Sequence, residues 1–384
     1  MRLGGLISGV DTETLVSALM ELERTRLYRQ ENKQAELEQK RKAWQQVRSA
    51  LNNLQSKADQ LRFSTLFRSR KVELSDASVA TVTADAGAAQ TSYTLQVIQL
   101  AQSHMITQAE GHYKAADETL EWAGTFKIGT ESGELKEIQV EATDTLSTLA
   151  AKINAANSGV YAHVVTVGEG QFRLVLTSAK SGTAHKIVLG DEVADVGYSQ
   201  SFLHGVLGLL GEEGYLVELS KAQDAHIKLN GTSYYSSDNT FDNILPGVKI
   251  TAKKPSGDSI VSMTVSADTD KVVQAVKEWV SAVNSLQDLL QSLSAYDMDK
   301  QTGAALFGEN LVRSIQYNIR KVFSDKINST DLPPTMNMLA HVGISTGAYG
   351  SSDFGRIILD EHKLREALQR DPEGVARVFG FYKE

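Results

Sequence analysis

The stretch DTDKVVQAVKEWVSAVNSLQDLLQSLSAYD, residues 268–297, carries the strongest structural signal in this chain. Its apolar side chains recur in alternating steps of four and three residues, which is the spacing of a heptad seam. The seam residues are Val272, Val276, Trp279, Val283, Leu286, Leu290 and Leu293. Asp268 is a suitable N-cap for a helix of roughly 40 Å. Because such a seam must be covered, we expect a second helix to pack against it.

A second seam runs between residues 37 and 61, far from the first one in the sequence. Its apolar members are Leu37, Trp44, Val47, Leu51, Leu54 and Leu61, with Ala58 between the last two and Lys40 as a polar gap. Two seams at opposite ends of the chain predict a helical, coiled-coil-like stalk that carries an inserted head. The alternative is a helical domain, an unrelated β domain and another helical domain in succession.

The N-terminal segment, residues 1–36, combines a Gly-rich apolar leader with an amphipathic helix that Asp11 caps. Its apolar residues need a hydrophobic neighbour, which makes them candidates for contact with a partner protein. These candidates are Leu6, Ile7, Leu15, Val16, Leu19 and Leu22, with Met20 beside them. The charged stretch that follows is consistent with one continuous helix or with a break near residues 25–28.

The middle of the chain changes to a period of two, which is typical of β-strands. VELSDASVATVTADAG and TSYTLQVIQLAQSH alternate apolar and polar residues, and a Gly168–Gly170 turn joins two further strand patterns. We therefore predict an α+β multidomain fold with a β-rich head of one or two lobes. The predicted segments are 1–36 (terminal helix), 37–70 with 266–384 (stalk), 71–100 (connecting strands) and 101–265 (head), and we expect the head segment to fold alone.

Composition excludes several classes of function. Cysteine is absent, so disulfides, thiol nucleophiles and thiolate metal sites are excluded together. Residues 1–70 contain 13 Lys/Arg and 8 Asp/Glu, a charge of +5 in a chain of net charge −8. These charges are interleaved as on a solvated helix face, without an aromatic platform, which argues against nucleic acid. No apolar run approaches the length of a membrane span, and the N-terminus lacks the cleavage site of a secretory signal.

Enzyme-like motifs occur without the context that their chemistry needs. Residues 343–347 fit G-x-S-x-G, but no helix pattern follows the turn, as a nucleophile elbow requires. Residues 353–355 spell DFG without the other kinase motifs. The acidic pair at 297 and 299 begins like a calcium loop, but Gly308 stands where the loop needs Glu. The eight histidines show no metal-ligand spacing. We predict no catalytic residue, no metal site and no cofactor.

Several stretches of this chain resemble the flagellar filament cap family, also called hook-associated protein 2. GLISGVDTETLVSALMELER (5–24), KAWQQVRSALNNLQS (42–56) and SYTLQVIQLAQSH (92–104) are similar to its N-terminal region. FKIGT with DTLSTLAAKINAANSGVYAHVV resembles the insert that flagellar axial proteins share. NTFDNILPGVKITAKK, VSADTDKVVQAVKEWVSAVNSLQDLL and RIILDEHKLREALQRDPEGVARVF (356–379) are similar to its return into the stalk and to its late signature.

This resemblance implies a structural protein that is not an enzyme. Members form a ring-like homo-oligomer at the filament tip, outside the cell, where they help exported flagellin subunits to fold and insert. They leave the cell through the flagellar channel without a cleaved signal peptide. Expected partners are thus further copies of the chain, flagellin and other axial proteins. The alternatives are another axial protein, such as a junction protein, and a cap whose head also binds host surfaces or mucin.

One departure from the family pattern concerns the C-terminus. The resemblance implies a long C-terminal helix that pairs with the N-terminal one, whereas this sequence stops at Glu384. We therefore expect residues 11–36 to lack their natural neighbour in the isolated chain.

Overall fold

The computed structural model describes residues 12–108, 113–168, 170–190, 217–327, 332–348, 350, 353 and 355–380. The chain forms two compact units: unit A contains the residues up to Ser69 and those from Asp268 onward, and unit B contains Arg70–Ala267. Unit B is thus inserted between the two halves of unit A. A helical unit from both ends of the chain with a β-rich insertion confirms the predicted α+β fold class.

Helices dominate unit A. The helices of the whole described chain are α1 (Thr12–Leu61), α2 (Ser64–Phe67), α3 (Leu146–Ala155), α4 (Thr269–Ser294), α5 (Asn310–Ser324), α6 (Glu361–Arg370) and α7 (Pro372–Val378), with short 3-10 turns at Thr183–His185, Pro334–Met336 and Leu339–Val342. Only α3 and the first 3-10 turn lie in unit B. Unit A also contains two small two-stranded ladders, one of Tyr296–Asp297 with Thr302–Gly303 and one of Ile344–Thr346 with Ile357–Leu359.

Antiparallel strands form unit B. The strands are β1 (Arg70–Leu74), β2 (Ala80–Ala84), β3 (Ser92–Gln99), β4 (Ser103–Thr107), β5 (Gly124–Thr130), β6 (Lys136–Val140), β7 (Val160–Thr166), β8 (Phe172–Ser181), β9 (Ile187–Gly190), β10 (Glu218–Ser220), β11 (Ala225–Leu229), β12 (Thr232–Ser236), β13 (Thr240–Leu245), β14 (Val248–Ala252) and β15 (Val261–Ala267), followed in unit A by β16 (Tyr296–Asp297), β17 (Thr302–Gly303), β18 (Ile344–Thr346) and β19 (Ile357–Leu359).

Two separate hydrophobic cores divide unit B into two lobes. In the first lobe, a sheet of order β1-β15-β3-β11-β12 and a sheet of order β13-β14-β2 enclose one core. In the second lobe, the sheets β10-β4-β8-β7 and β6-β5-β9 enclose another core together with α3. Of the one or two lobes expected from the sequence, the structure shows two.

The core of unit A is built around α4. Asp268 caps this helix as its sequence predicts, since the Asp268 carboxylate accepts a hydrogen bond from the Lys271 backbone N–H at 3.1 Å. One side of α4 packs against the second half of α1, and the other side packs against the C-terminal elements. The Asn284 amide fixes the latter contact, because it donates to the carbonyl and accepts from the N–H of Ile357, both at 2.9 Å.

Strand β3 lies between β15 and β11 in the five-stranded sheet, so residues 71–100 are part of the first lobe's packing. We propose the division of the chain into a terminal helix (1–36), a stalk (37–70 with 266–384), connecting strands (71–100) and a head (101–265) as a description of the sequence. The expectation that residues 101–265 fold alone requires revision, because that fragment lacks β1 and β3. Without β3, the apolar faces of β11 and β15 lose the strand that joins them.

The sheet order therefore predicts different behaviour for two fragments of unit B. Residues 70–267 should unfold cooperatively with a β-type circular dichroism spectrum. Residues 101–265 should lose the cooperative transition of the first lobe, because β3 contributes the fully buried Leu95 and Val97. Thermal unfolding followed by circular dichroism tests this, and equal midpoints for the two fragments would contradict it.

Candidate functional site

Helix α1 is one uninterrupted helix of 50 residues, Thr12–Leu61. The structure thus favours the continuous alternative over a break near residues 25–28. The charged stretch is rich in good helix formers, and it carries ion pairs at helical spacing. Glu36 contacts Lys33 at 3.0 Å and Lys40 at 3.4 Å. These local interactions carry the helix across a segment that no core stabilises.

The C-terminal half of α1 packs antiparallel to α4. Ala43 and Val47 share a core cluster with Leu286 and Leu290, near the C-terminal end of α4. At the other end, Leu61 joins Val272 and Val276 in a second cluster. The Lys57 ammonium donates to the Glu278 carboxylate at 2.7 Å, and this hydrogen bond lowers the pKa of Glu278. The two seams predicted from the sequence therefore face each other.

The α4 seam is buried at five positions and half-buried at two. Val272, Val276, Val283, Leu286 and Leu290 are buried, while Trp279 and Leu293 are half-buried. Sequence reasoning missed Val273, Val280 and Ala282, which are also buried. A heptad seam packs against one neighbouring helix. Helix α4 is covered on two sides, so its apolar face is wider than the seam. The valines at 273 and 280, which lie between seam positions, were the sequence signal of this wider apolar face.

The α1 seam differs from the prediction at two positions. Val47 and Leu61 are buried and Trp44 and Leu54 are half-buried, but Leu37 and Leu51 are 55% and 37% exposed. The residues that face α4 repeat every seven positions as 40, 47, 54, 61 and as 43, 50, 57. Leu37 and Leu51 lie one position to the side of this register, and Ala43 and Ala50 occupy the places that large side chains were expected to take.

Residue Lys40 marks the end of the covered part of α1. Its ammonium donates to the Glu309 carboxylate at 3.2 Å, and the hydrogen bonds that it donates to Glu309 and Glu36 raise the pKa of Lys40. Every side chain from Glu13 to Gln39 is exposed. Among the residues that the structure describes, none buries a side chain of this helix between Glu13 and Gln39.

An apolar stripe lies on this uncovered half. We define the N-terminal stripe as Leu15, Val16, Leu19, Met20 and Leu22, and its members are 53–69% exposed. Leu6 and Ile7, the other partner-contact candidates, lie outside the described residues. Burying each leucine would contribute roughly 1.5–3 kcal/mol. Five large apolar side chains on one exposed helix segment form a surface suited to a partner helix.

The stripe continues the register of the buried seam. Counting back in sevens from Val47 and Ala43 leads to Leu19 in one series and to Leu22 and Leu15 in the other. Between them, the same series contain Arg26, Arg29, Lys33 and Glu36. One face of one helix is therefore apolar at both ends and charged in the middle. The covered end pairs within the chain, and the uncovered end has the same chemistry.

Two of the enzyme-like stretches lie in small antiparallel ladders of unit A. Ser345 lies in β18 and pairs with Ile358 of β19, so it stands in a ladder and not in a strand-to-helix turn. The Asp297 carboxylate accepts hydrogen bonds from the N–H groups of Asp299 and Lys300 in the β16–β17 hairpin. Within the described residues there is no cluster of three potential metal-ligating side chains. Nor does any described helix have the length and apolarity to cross a bilayer.

Comparison with known protein families gives three matches along the chain. The model described as flagellar hook-associated protein 2 N-terminus matches residues 8–104, and that of the same protein's C-terminus matches residues 222–384. The flagellin hook IN motif matches residues 125–180, which lie in the second lobe of unit B. The first two matches together contain both helices of the α1–α4 pair.

Individual proteins and a solved structure show the same similarity over most of the chain. The chain is 28% identical to flagellar hook-associated protein 2 of Escherichia coli K12 over 97% of this chain and 79% of that protein. For the A-type flagellar hook-associated protein 2 of Pseudomonas aeruginosa the identity is 27%, over 98% and 80%. The crystal structure of the D1-D2-D3 domains of the flagellar cap protein FliD from Escherichia coli has a TM-score of 0.67 and 26% identity, over 88% of this chain and 91% of that one.

The register shared by the two halves of α1 provides a matched pair of substitutions. Leu61→Ala should lower the free energy of unfolding by about 2–5 kcal/mol, since it removes a buried side chain. Leu19→Ala, at the same position of the heptad, should change it by less than about 0.5 kcal/mol, since nothing in the described chain covers it. Urea denaturation of the monomer measures both. A similar loss for both variants would mean that the stripe has a partner within the chain.

Proposed function

The chain belongs to the flagellar hook-associated protein 2 family, and from that membership we propose that it caps the distal end of a bacterial flagellar filament. The observation that carries this proposal is the division of α1 into a half covered by α4 and a half whose apolar stripe is exposed. A capping protein has to be folded before it meets its partners and must keep a surface for them. Helix α1 combines both properties in one element.

The partners we propose are further copies of this chain, in a ring-like homo-oligomer, together with flagellin and other axial proteins. The N-terminal stripe is the proposed contact surface. Helices with apolar residues at heptad spacing pair through that face, and the charged residues between the apolar blocks restrict the register of pairing. Arg26, Arg29 and Lys33 at seam positions disfavour a partner helix with basic residues opposite them. A partner with carboxylates there would fit.

Capping by this protein needs no covalent chemistry. We propose that the oligomer shelters the growing end, so that an exported flagellin subunit folds and inserts before it diffuses away. The oligomer acts on the flagellin subunit through the complementarity of their surfaces and by excluding volume around it. An isolated helix segment is marginal in water, so ordering the stripe against a partner carries an entropic cost that offsets part of the burial. This offset keeps the contact weak enough to be remade as subunits are added.

The same family membership supports an extracellular position at the flagellum tip. We propose export through the flagellar channel without a cleaved signal peptide. The absence of cysteine agrees with this route, because a chain that folds after export then needs no disulfide formation. The family matches to both ends of the chain favour a cap over a junction protein.

Substitutions on the stripe test the proposal in the parent bacterium with its own gene deleted. The variant Leu15→Asp, Leu19→Asp, Leu22→Asp should fold normally but leave flagellin unpolymerised in the medium, because three carboxylates on the stripe oppose apolar pairing. Electron microscopy should show few or short filaments. Immunoblotting of the culture supernatant should show the released flagellin.

The matched control places the same three negative charges on the outer face of α1. Thr14→Asp, Ser17→Asp and Gln45→Asp should leave filament assembly as in the wild type. Both variants should keep the unfolding midpoint of the parent chain. Normal filaments with the stripe variant would contradict the role of the stripe, while failure of the wild-type gene to restore filaments would contradict capping itself.

A further inference from the structure

The second lobe of unit B contains a polar cleft that capping does not use. Its volume is about 480 Å³, within the range of small-molecule sites. Three chain segments form it: the turn between β5 and β6, the turn after α3, and the end of β8 with the 3-10 turn that follows. Because these segments belong to one lobe and one hydrophobic core, the cleft is held by a packed scaffold.

A buried serine whose hydroxyl has no protein partner lines this cleft. Ser158 is only 5% exposed, and its buried Oγ makes no hydrogen bond to any described protein atom. Buried polar groups are almost always paired, and one that is not costs about 1–3 kcal/mol. Rotation about a single side-chain bond redirects a serine hydroxyl at small cost. An unpaired hydroxyl beside a cleft is therefore a hydrogen-bonding position that a ligand can fill.

The charges around the cleft favour an anionic group. The Lys136 ammonium donates to the Glu134 carboxylate at 2.5 Å, and this hydrogen bond lowers the pKa of Glu134, so the pair is neutral as a unit. Lys180 also lines the cleft and has no ion-pair partner within the described chain. One uncompensated ammonium remains, and a carboxylate is its natural complement.

The remaining lining favours a ligand that carries hydroxyl groups. The Ser132 hydroxyl lies 3.3 Å from Nδ1 of His185, which provides a donor and acceptor pair at the cleft edge. The Asn157 side chain and the Thr130 hydroxyl line the cleft as well. Hydroxyls, an amide and an imidazole both donate and accept hydrogen bonds, as the hydroxyl groups of a ligand do.

We propose that this cleft binds a small hydroxylated carboxylate about the size of one sugar ring. The carboxylate pairs with the Lys180 ammonium, and a ligand oxygen accepts a hydrogen bond from the Ser158 hydroxyl. The ligand hydroxyls meet Ser132, Asn157 and His185. This proposal is independent of capping, because it concerns a different unit of the chain and none of the residues in the N-terminal stripe.

Titration calorimetry of the full chain with D-glucuronate tests the site. D-glucose, which has the hydroxyls alone, and acetate, which has the carboxylate alone, are the comparison ligands at constant ionic strength. We expect saturable binding of glucuronate that is at least roughly tenfold tighter than that of either comparison ligand, since both sets of contacts are needed. Equal binding of all three, or no saturable binding of glucuronate, would overturn the proposal.

Variants locate the binding and separate a ligand contact from a structural role. Lys180→Ala should weaken glucuronate binding about tenfold or more, whereas Lys249→Ala, an exposed lysine in the first lobe, should leave it unchanged. Ser158→Ala should weaken binding severalfold without lowering the unfolding midpoint, because it removes a hydroxyl that has no partner in the free protein. Unchanged affinity in Lys180→Ala and Ser158→Ala would refute this site.

Discussion

The antiparallel contact between α4 and the second half of α1 is the interaction on which unit A depends. It joins residues more than 200 positions apart in the sequence, from Lys57 to Glu278 at one point. Unit B is inserted between these two helices, so their pairing closes unit A from segments at opposite ends of the chain. Apolar packing provides the driving force, and the peripheral ion pairs add little because they are partly exposed.

The unequal length of the two helices has a consequence for assembly. Helix α4 has 26 residues and α1 has 50, so an antiparallel pair leaves about half of α1 without a counterpart. The uncovered half is held as a helix by local propensity and ion pairs, which provide only a few tenths of a kcal/mol each. Its apolar residues repeat the chemistry of the covered half.

The sequence alone predicted the parts of the fold that follow from periodicity. The two seams, the change to a period of two after residue 70 and the Asp268 cap all have local physical causes, and the structure contains them. The sequence did not predict which residues of α1 face α4. Alanine, as at Ala43 and Ala50, is a weak signal of burial, whereas leucine, as at Leu37 and Leu51, is a strong one. Whether an alanine or a leucine faces a partner depends on the register with α4, which is a property of the tertiary contact.

For the candidate sites, too, the sequence predicted what lies within one helix and missed what depends on tertiary contacts. The leucines of the stripe were predicted as contact residues because they form a pattern within one helix. The cleft in the second lobe was missed, because Lys180, Ser158 and Ser132 come from three separate segments that only the folded sheet brings together. The unpaired state of Ser158 is likewise a property of the folded lobe, and no single-sequence pattern encodes it.

Hydrogen exchange within helix α1 of the verified monomer is the most direct test of the central claim, the division of this helix into a covered and an uncovered half. The account predicts strong protection of the amides from Ala43 to Leu61 and little protection from Glu13 to Glu36, with the change near Lys40. Because both segments belong to one helix, helix formation alone cannot produce that difference. Uniform protection along α1 would show that the stripe is covered within the chain and would contradict the account.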